Sequence, residues 1–172
     1  MKTHFLFFLF LLGFFILIKG GFAMEITSPD FKHNTMIPKK FTCQGEDMSP
    51  NLRIDDIPKK TESLVLIVDD PDATTGNWDH WLVYNILPTT STVAEKTVPG
   101  LQCLNDFGRK EWGSPCPPSG THRYFFKIYA LDVMLPPLPN NARKKDLLAA
   151  MEGHILDKAE LIGLYKKSNL IP

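Results

Sequence analysis

The chain has 172 residues, 44% of them hydrophobic and 11% aromatic, enough for one domain of ordinary size with a sizeable core. Lysine plus arginine and aspartate plus glutamate both number 19, so no net field draws a polyanion. With no basic stripe interleaved with aromatics and no recognition helix, nucleic-acid binding is set aside.

At the start, an apolar run from Phe5 to Ile18 follows Lys2 and is closed by Gly20, Gly21, Phe22 and Ala23. This is the pattern of a signal peptide over residues 1–23, with cleavage after Ala23. As a helix the run spans about 21 Å, short of a ~30 Å hydrocarbon core. The expected product is an exported, periplasmic or secreted domain over residues 24–172. Because the positive region is a single Lys and Lys19 interrupts the pattern, retention as an inner-membrane anchor is the alternative. Removing the segment takes away Lys2 and Lys19 and no acid, leaving the domain weakly acidic. Cys43, Cys103 and Cys116 all lie in that domain, where an oxidising compartment permits one disulfide. Three pairings are open, and no spacing matches the C-x-x-C of a zinc site.

Glu25 to Phe31 reads as a short strand entering a turn, and Phe41 to Leu52 as a loop or short hairpin region. Leu52 and Ile54 alternate around Arg53 in a modest strand ended by Pro58. Ser63 to Val68 is a branched apolar run too short for a typical helix, so it is expected as a buried central strand, with Trp81 to Leu87 beside it. Thr89 to Gly113 is irregular. Tyr124 to Leu131 alternates Tyr124, Phe126, Ile128 and Ala130 against Phe125, Lys127, Tyr129 and Leu131, which is strand periodicity. A helix is expected after Asn141 on the spacing of Leu147, Leu148, Met151 and Ile155, weakened by Gly153. A last strand is expected over Ala159 to Lys167. The reading is a β-rich domain with one helix.

Two stretches carry the chemistry. In D-D-P-D-A-T-T-G-N-W-D-H-W, from Asp69 to Trp81, the chain leaves a buried strand, turns at Pro71 and re-enters at His80, gathering Asp70, Asp72 and His80 at a sheet rim. In G-S-P-C-P-P-S-G-T-H-R-Y, from Gly113 to Tyr124, prolines stiffen a loop that delivers His122 to the start of a strand. If His80 and His122 face one cavity, their N–H groups and loop amides can hold an anion while carboxylates set the ring tautomers. Arg123, one residue past His122, points to the other face and is expected in a structural ion pair. Asp106 and Arg109 either pair locally or line the entrance.

D-P-D-A at Asp70 to Ala73, H-W at His80 and Trp81, and G-x-P-x-P-P-x-G-x-H-R-Y from Gly113 resemble the two signatures of the phosphatidylethanolamine-binding protein family. Within it, the chain is most similar to the bacterial and archaeal branch described as Raf kinase inhibitor-like, over roughly Met24 to Lys167. The resemblance implies a mainly β fold, with a large central antiparallel sheet packed against a smaller sheet and a helix near the C terminus. It also implies a pocket for phosphate or a phosphoethanolamine-like phospholipid head group. Matched residue by residue, Asp70, Asp72, Trp78, His80, Gly113, Pro118, His122 and Tyr124 fall on that pocket. Thr74 and Ser114 depart from the family's usual Pro and Gly.

The leading functional reading is therefore an anion-binding module with no cofactor and no metal. Inhibition or regulation of a protein partner such as a serine protease is the alternative. A metal-dependent hydrolase, or a Cys116 or Ser114 nucleophile activated by His122, ranks last, because neither H-E-x-x-H nor G-x-S-x-G occurs.

Overall fold

The computed structural model describes residues 23–168; apart from Ala23, the signal-like segment lies outside them. In chain order the elements are β1 Glu25–Thr27, β2 Thr35–Met36, β3 Leu52–Asp55, β4 Ser63–Asp70, β5 Trp78–Ile86, β6 Thr92–Val93, β7 Leu101–Gln102, β8 Thr121–Leu131, α1 Lys144–Met151 and β9 Ile155–Lys166. A six-stranded sheet runs β2-β9-β8-β4-β5-β7, and a three-stranded sheet runs β1-β3-β6. β2 joins β9 in parallel, while the remaining neighbours pair antiparallel. The expected pairing of a large sheet, a smaller sheet and a helix near the C terminus is the observed fold.

β4 is buried along its whole length, as a continuous branched run in a two-faced sheet must be. Its alternation sorts the core into two layers. Leu64, Leu66 and Val68 join Phe126, Ile128 and Ala130 of β8 beneath the smaller sheet, with Ile26, Leu52 and Ile54. Val65 and Ile67 face the opposite way, toward Leu147 and Met151 of α1. The same parity separates the two adjacent acids that end β4. Asp69 turns to the helix side, where Lys127 Nζ and Lys144 Nζ reach it at 2.8 and 2.6 Å; Asp70 turns to the other face.

Several boundaries differ from the sequence reading. The helix ends at Met151, because Gly153 adopts a φ of +80° that right-handed helix cannot continue through. Ile155, expected on the helix, instead begins β9. The cap is Arg143 rather than Asn141; its backbone N–H donates to the Asp146 carboxylate at 2.9 Å, a side-chain acceptor three residues into the helix. β5 starts at Trp78 rather than Trp81, so Trp78 and His80 are strand residues. The two-residue strands β2, β6 and β7 are too short to show periodicity. The cysteine pairing left open by the sequence is Cys43 with Cys116. Cys103 is a buried free thiol, its pKa pushed up to about 11 by burial.

Candidate functional site

Strand parity and one irregularity bring the site together. On β8, His122 and Tyr124 lie two residues apart and share the face of Phe126 and Ile128. On β5, Trp81 pairs with Val68 and Asp79 pairs with Asp69, leaving His80 as an extra residue at a register shift. This β-bulge lets His80 and Trp81 emerge on the same face of the sheet, which a regular strand would forbid. Asp79 goes to the opposite side, where its carboxylate meets Lys144 at 2.7 Å. The bulge is what aims His80 at His122.

Together with the loops, these strands enclose a cavity of about 260 Å³. It is lined by Asp70, Trp78, His80, His122 and Tyr124, with Ala73, Thr74 and Thr75 on one side and Phe107, Cys116, Pro117 and Pro118 on the other. Asp70, His80 and His122 are 3%, 4% and 7% exposed. His122 Nδ1 lies 2.7 Å from Asp70 Oδ2, and the other Asp70 oxygen accepts the Asp72 backbone N–H at 2.8 Å. His80 stacks edge-on against Tyr124 at 5.2 Å between ring centroids and against Phe107 at 5.5 Å.

His80 and Gly113 bind each other twice. The Gly113 backbone N–H donates to the His80 carbonyl at 3.0 Å, and His80 Nδ1 donates to the Gly113 carbonyl at 2.6 Å. The ring N–H that the sequence reading offered to an anion is thus spent on the loop. Gly113 contributes through this carbonyl and does not line the cavity. A side chain there would land on the Phe107 ring, which itself packs edge-on against Trp78.

Asp72 sits outside the lining as well. Its carboxylate takes Arg123 Nε and Nη2 at 2.9 and 2.7 Å and the Arg123 backbone N–H at 2.9 Å. This bidentate pair is the ion pair expected for Arg123, and it pulls the Asp72 pKa down to about 2. Trp78, Pro118, Tyr124 and the pair Asp70–His122 all reach the cavity. Asp106 and Arg109 serve the loop: Asp106 accepts the Asp79 backbone N–H at 2.8 Å, and Arg109 pairs with Glu111 at 2.8 Å.

Phe107 and Asn105 escaped the sequence reading. Asn105 is fully buried; its amide donates to the carbonyls of His80 and Glu111, at 3.1 and 2.9 Å. Its side-chain oxygen accepts from the Arg109 backbone N–H at 3.0 Å. It thereby folds residues 105–111 into the turn that presents Phe107. Asn105 to Gly108 is a turn-forming run, N-D-F-G, although nothing in it assigns the ring to a site.

The lining carries one carboxylate, that of Asp70. No Lys or Arg lines the cavity. Burial pushes the His80 pKa below the ordinary imidazole value, against the Gly113 carbonyl and the nearby Asp70, Asp69 and Asp106, which pull it up. Burial also raises the Tyr124 phenol, with Asp70 adding to it, so the hydroxyl keeps its proton. That hydroxyl is sealed from solvent and has no hydrogen-bond partner among the described residues; Asp70 and the Cys116 backbone lie near it without bonding geometry. Among the described residues, no group of three or more His, Cys, Asp or Glu is placed to hold a metal ion.

A larger cleft of about 560 Å³ lies between β1 and β9, lined by residues such as Met24, Ile26, Phe31, Lys32, His33 and Glu160. Its lining draws on neither of the two motif stretches, whereas the smaller cavity gathers residues of both, including His80 and His122, so the smaller cavity is the better candidate.

The sequence profile of the phosphatidylethanolamine-binding protein family matches residues 27–166. The chain belongs to this family. A UPF0098 protein of Aquifex aeolicus is 46% identical over 165 residues, covering 91% of this chain and 96% of its own. A UPF0098 protein of the archaeon Methanothermobacter thermautotrophicus is 46% identical over 152 residues, covering 84% and 99%. Among solved structures, the phosphatidylethanolamine-binding protein homolog CT736 of Chlamydia trachomatis superposes with a TM-score of 0.82 at 45% identity, over 85% of this chain and 99% of that one. E. coli YbcL, described as a member of the mammalian family, gives 0.78 at 29% identity over the same shares.

Proposed function

We propose that this protein is a receptor for a small phosphate-like anion, including the head group of a phosphoethanolamine lipid, held between His80 and His122. The observation that carries this reading is the pair of imidazoles, His80 and His122, which the β5 bulge and β8 bring into one cavity of about 260 Å³ with Asp70 and Tyr124. Calorimetric titration of phosphoethanolamine into the wild type and His122→Ala tests it. Weaker binding by the variant is expected, and superimposable curves contradict the reading. The same motifs, with bacterial and archaeal relatives of matching length, support placing the chain in the Raf kinase inhibitor-like branch.

Binding rather than catalysis is favoured because the Cys116 sulfur is bonded to Cys43 and Ser114 is outside the cavity lining. A panel of serine proteases separates this reading from regulation of a protein partner, which inhibition at micromolar protein would restore.

Export with cleavage after Ala23 belongs to the same proposal. Ala23 is exposed whereas Met24 is buried, and the Met24 backbone nitrogen lies 3.1 Å from Asp157 Oδ2. Cleavage there would set the new α-ammonium group directly against a carboxylate. A disulfide likewise suits an oxidising compartment. N-terminal sequencing of the protein from its own cells is expected to begin at Met24; a chain beginning at Met1 contradicts it.

A further inference from the structure

The two imidazoles enter the cavity in different hydrogen-bonding states. A carbonyl oxygen only accepts, so the 2.6 Å contact between His80 Nδ1 and the Gly113 carbonyl places the ring hydrogen on Nδ1. In a neutral ring the other nitrogen, Nε2, is then a bare lone pair. Among the described residues, that Nε2 makes no protein hydrogen bond, yet it is not sealed off as the Tyr124 hydroxyl is, so it opens on the cavity. His122 is different. Its Nδ1 partner is the Asp70 carboxylate at 2.7 Å, which accepts from Nδ1 in either ring state. His122 Nε2 is therefore a donor when the ring is charged and an acceptor when it is neutral.

The rest of the lining sharpens the asymmetry. Its carboxylate is Asp70, no Lys or Arg lines it, and two wall residues, Pro117 and Pro118, have no backbone N–H. Besides the sealed Tyr124 hydroxyl, the side-chain donors of the lining are the hydroxyls of Thr74 and Thr75 and the indole of Trp78, with His122 Nε2 when that ring is charged. A ligand whose oxygens are all acceptors would turn one of them toward the His80 lone pair. A ligand carrying an O–H or N–H of its own would donate it there.

We propose that the pocket reads a proton on its ligand: it takes an oxyanion that brings its own donor, as hydrogen phosphate does, and discriminates against one that is all acceptors, as sulfate is. This rests on the anion-receptor reading above and adds the chemical class of ligand. His80 is the selecting residue, with its tautomer fixed by Gly113, and the bulge in β5 is what exposes its Nε2 to the cavity.

The test needs no substitution. At about pH 8, hydrogen phosphate and sulfate are both predominantly dianions of the same shape, and only phosphate keeps a proton. Each is titrated calorimetrically into the disulfide-intact mature protein, and the histidine nitrogens are followed by long-range proton–nitrogen NMR. Phosphate is expected to bind at least about tenfold more tightly, the ratio set by one unpaired buried acceptor. His80 Nε2 is expected to resonate as an unprotonated nitrogen in the free protein and to shift on adding phosphate. Equal affinities, a sulfate preference, or a protonated His80 Nε2 in the free protein overturn the proposal and leave the anion site standing. Failure of both ions to bind at millimolar concentration, at about pH 6 as well as pH 8, overturns the site with it.

Discussion

Replacing Cys43 and Cys116 together by alanine removes a crosslink between positions 73 residues apart. Both residues are exposed, so truncating them removes little buried surface and the crosslink itself dominates the effect. For a closed loop of about 73 residues the chain-entropy relation gives roughly 15 cal/mol/K, or about 4 kcal/mol at 25 °C. In a domain of this size that lowers Tm by about 8–16 °C. Urea unfolding followed by tryptophan fluorescence measures the loss directly. Phosphate binding is expected to weaken too, because Cys116 lines the cavity. Without the disulfide, the backbone tie between this wall and Cys43 is the bond from the Cys43 N–H to the Pro115 carbonyl, at 3.2 Å. A loss below about 1 kcal/mol with unchanged phosphate affinity would refute the argument that this bond holds the cavity wall.

Gly113→Ala drives a methyl group into the Phe107 ring, and is expected to lower stability by about 1–2 kcal/mol and to weaken phosphate binding as the ring leaves the wall. Unfolding and calorimetry on the same sample check both. Arg123→Ala should raise the Asp72 carboxyl from about 2 toward its ordinary value of 3.8, with the backbone N–H at position 123 still holding it partly down, read by carboxyl NMR titration. Asp72 is held below its unfolded value, so its contribution to stability is complete above pH 3.8 and is lost as pH falls through about 2. The variant loses most of that pH dependence and binds phosphate as the wild type does at neutral pH, since neither partner lines the cavity.

How much of this was legible in the sequence depends on whether local pattern or long-range pairing decided each feature. β4 and β8 were readable because an unbroken apolar run and a strict alternation are local statements, and the alternation also gave Arg123 its outward direction. The eight candidate site residues divide by the same logic. Asp70, Trp78, His80, Pro118, His122 and Tyr124 reach the cavity, whereas Asp72 and Gly113 stand behind it. Asp72 was hidden by its partner: the acid that looked free in the turn is claimed by Arg123, one residue past His122. The β5 bulge was illegible because it exists only in the register between β5 and β4. The tautomer of His80 was illegible for the same reason, its partner lying 33 positions away at Gly113. Phe107 needed the buried Asn105 to fold its loop back on the sheet, a contact no spacing announces. Ile155 kept helical periodicity past a glycine whose positive φ ends the helix, and there backbone conformation overrode the side-chain pattern.

The central claim is that an anion sits between His80 and His122. Its most direct test is an NMR titration of the isotope-labelled, disulfide-intact protein with inorganic phosphate, mapping every perturbed residue. The account predicts saturable shifts converging on Asp70 to His80, Phe107 and Cys116 to Tyr124. Shifts gathered instead at the larger cleft, around Met24 to His33 and Ala159 to Leu161, or no saturable shift anywhere, would contradict it.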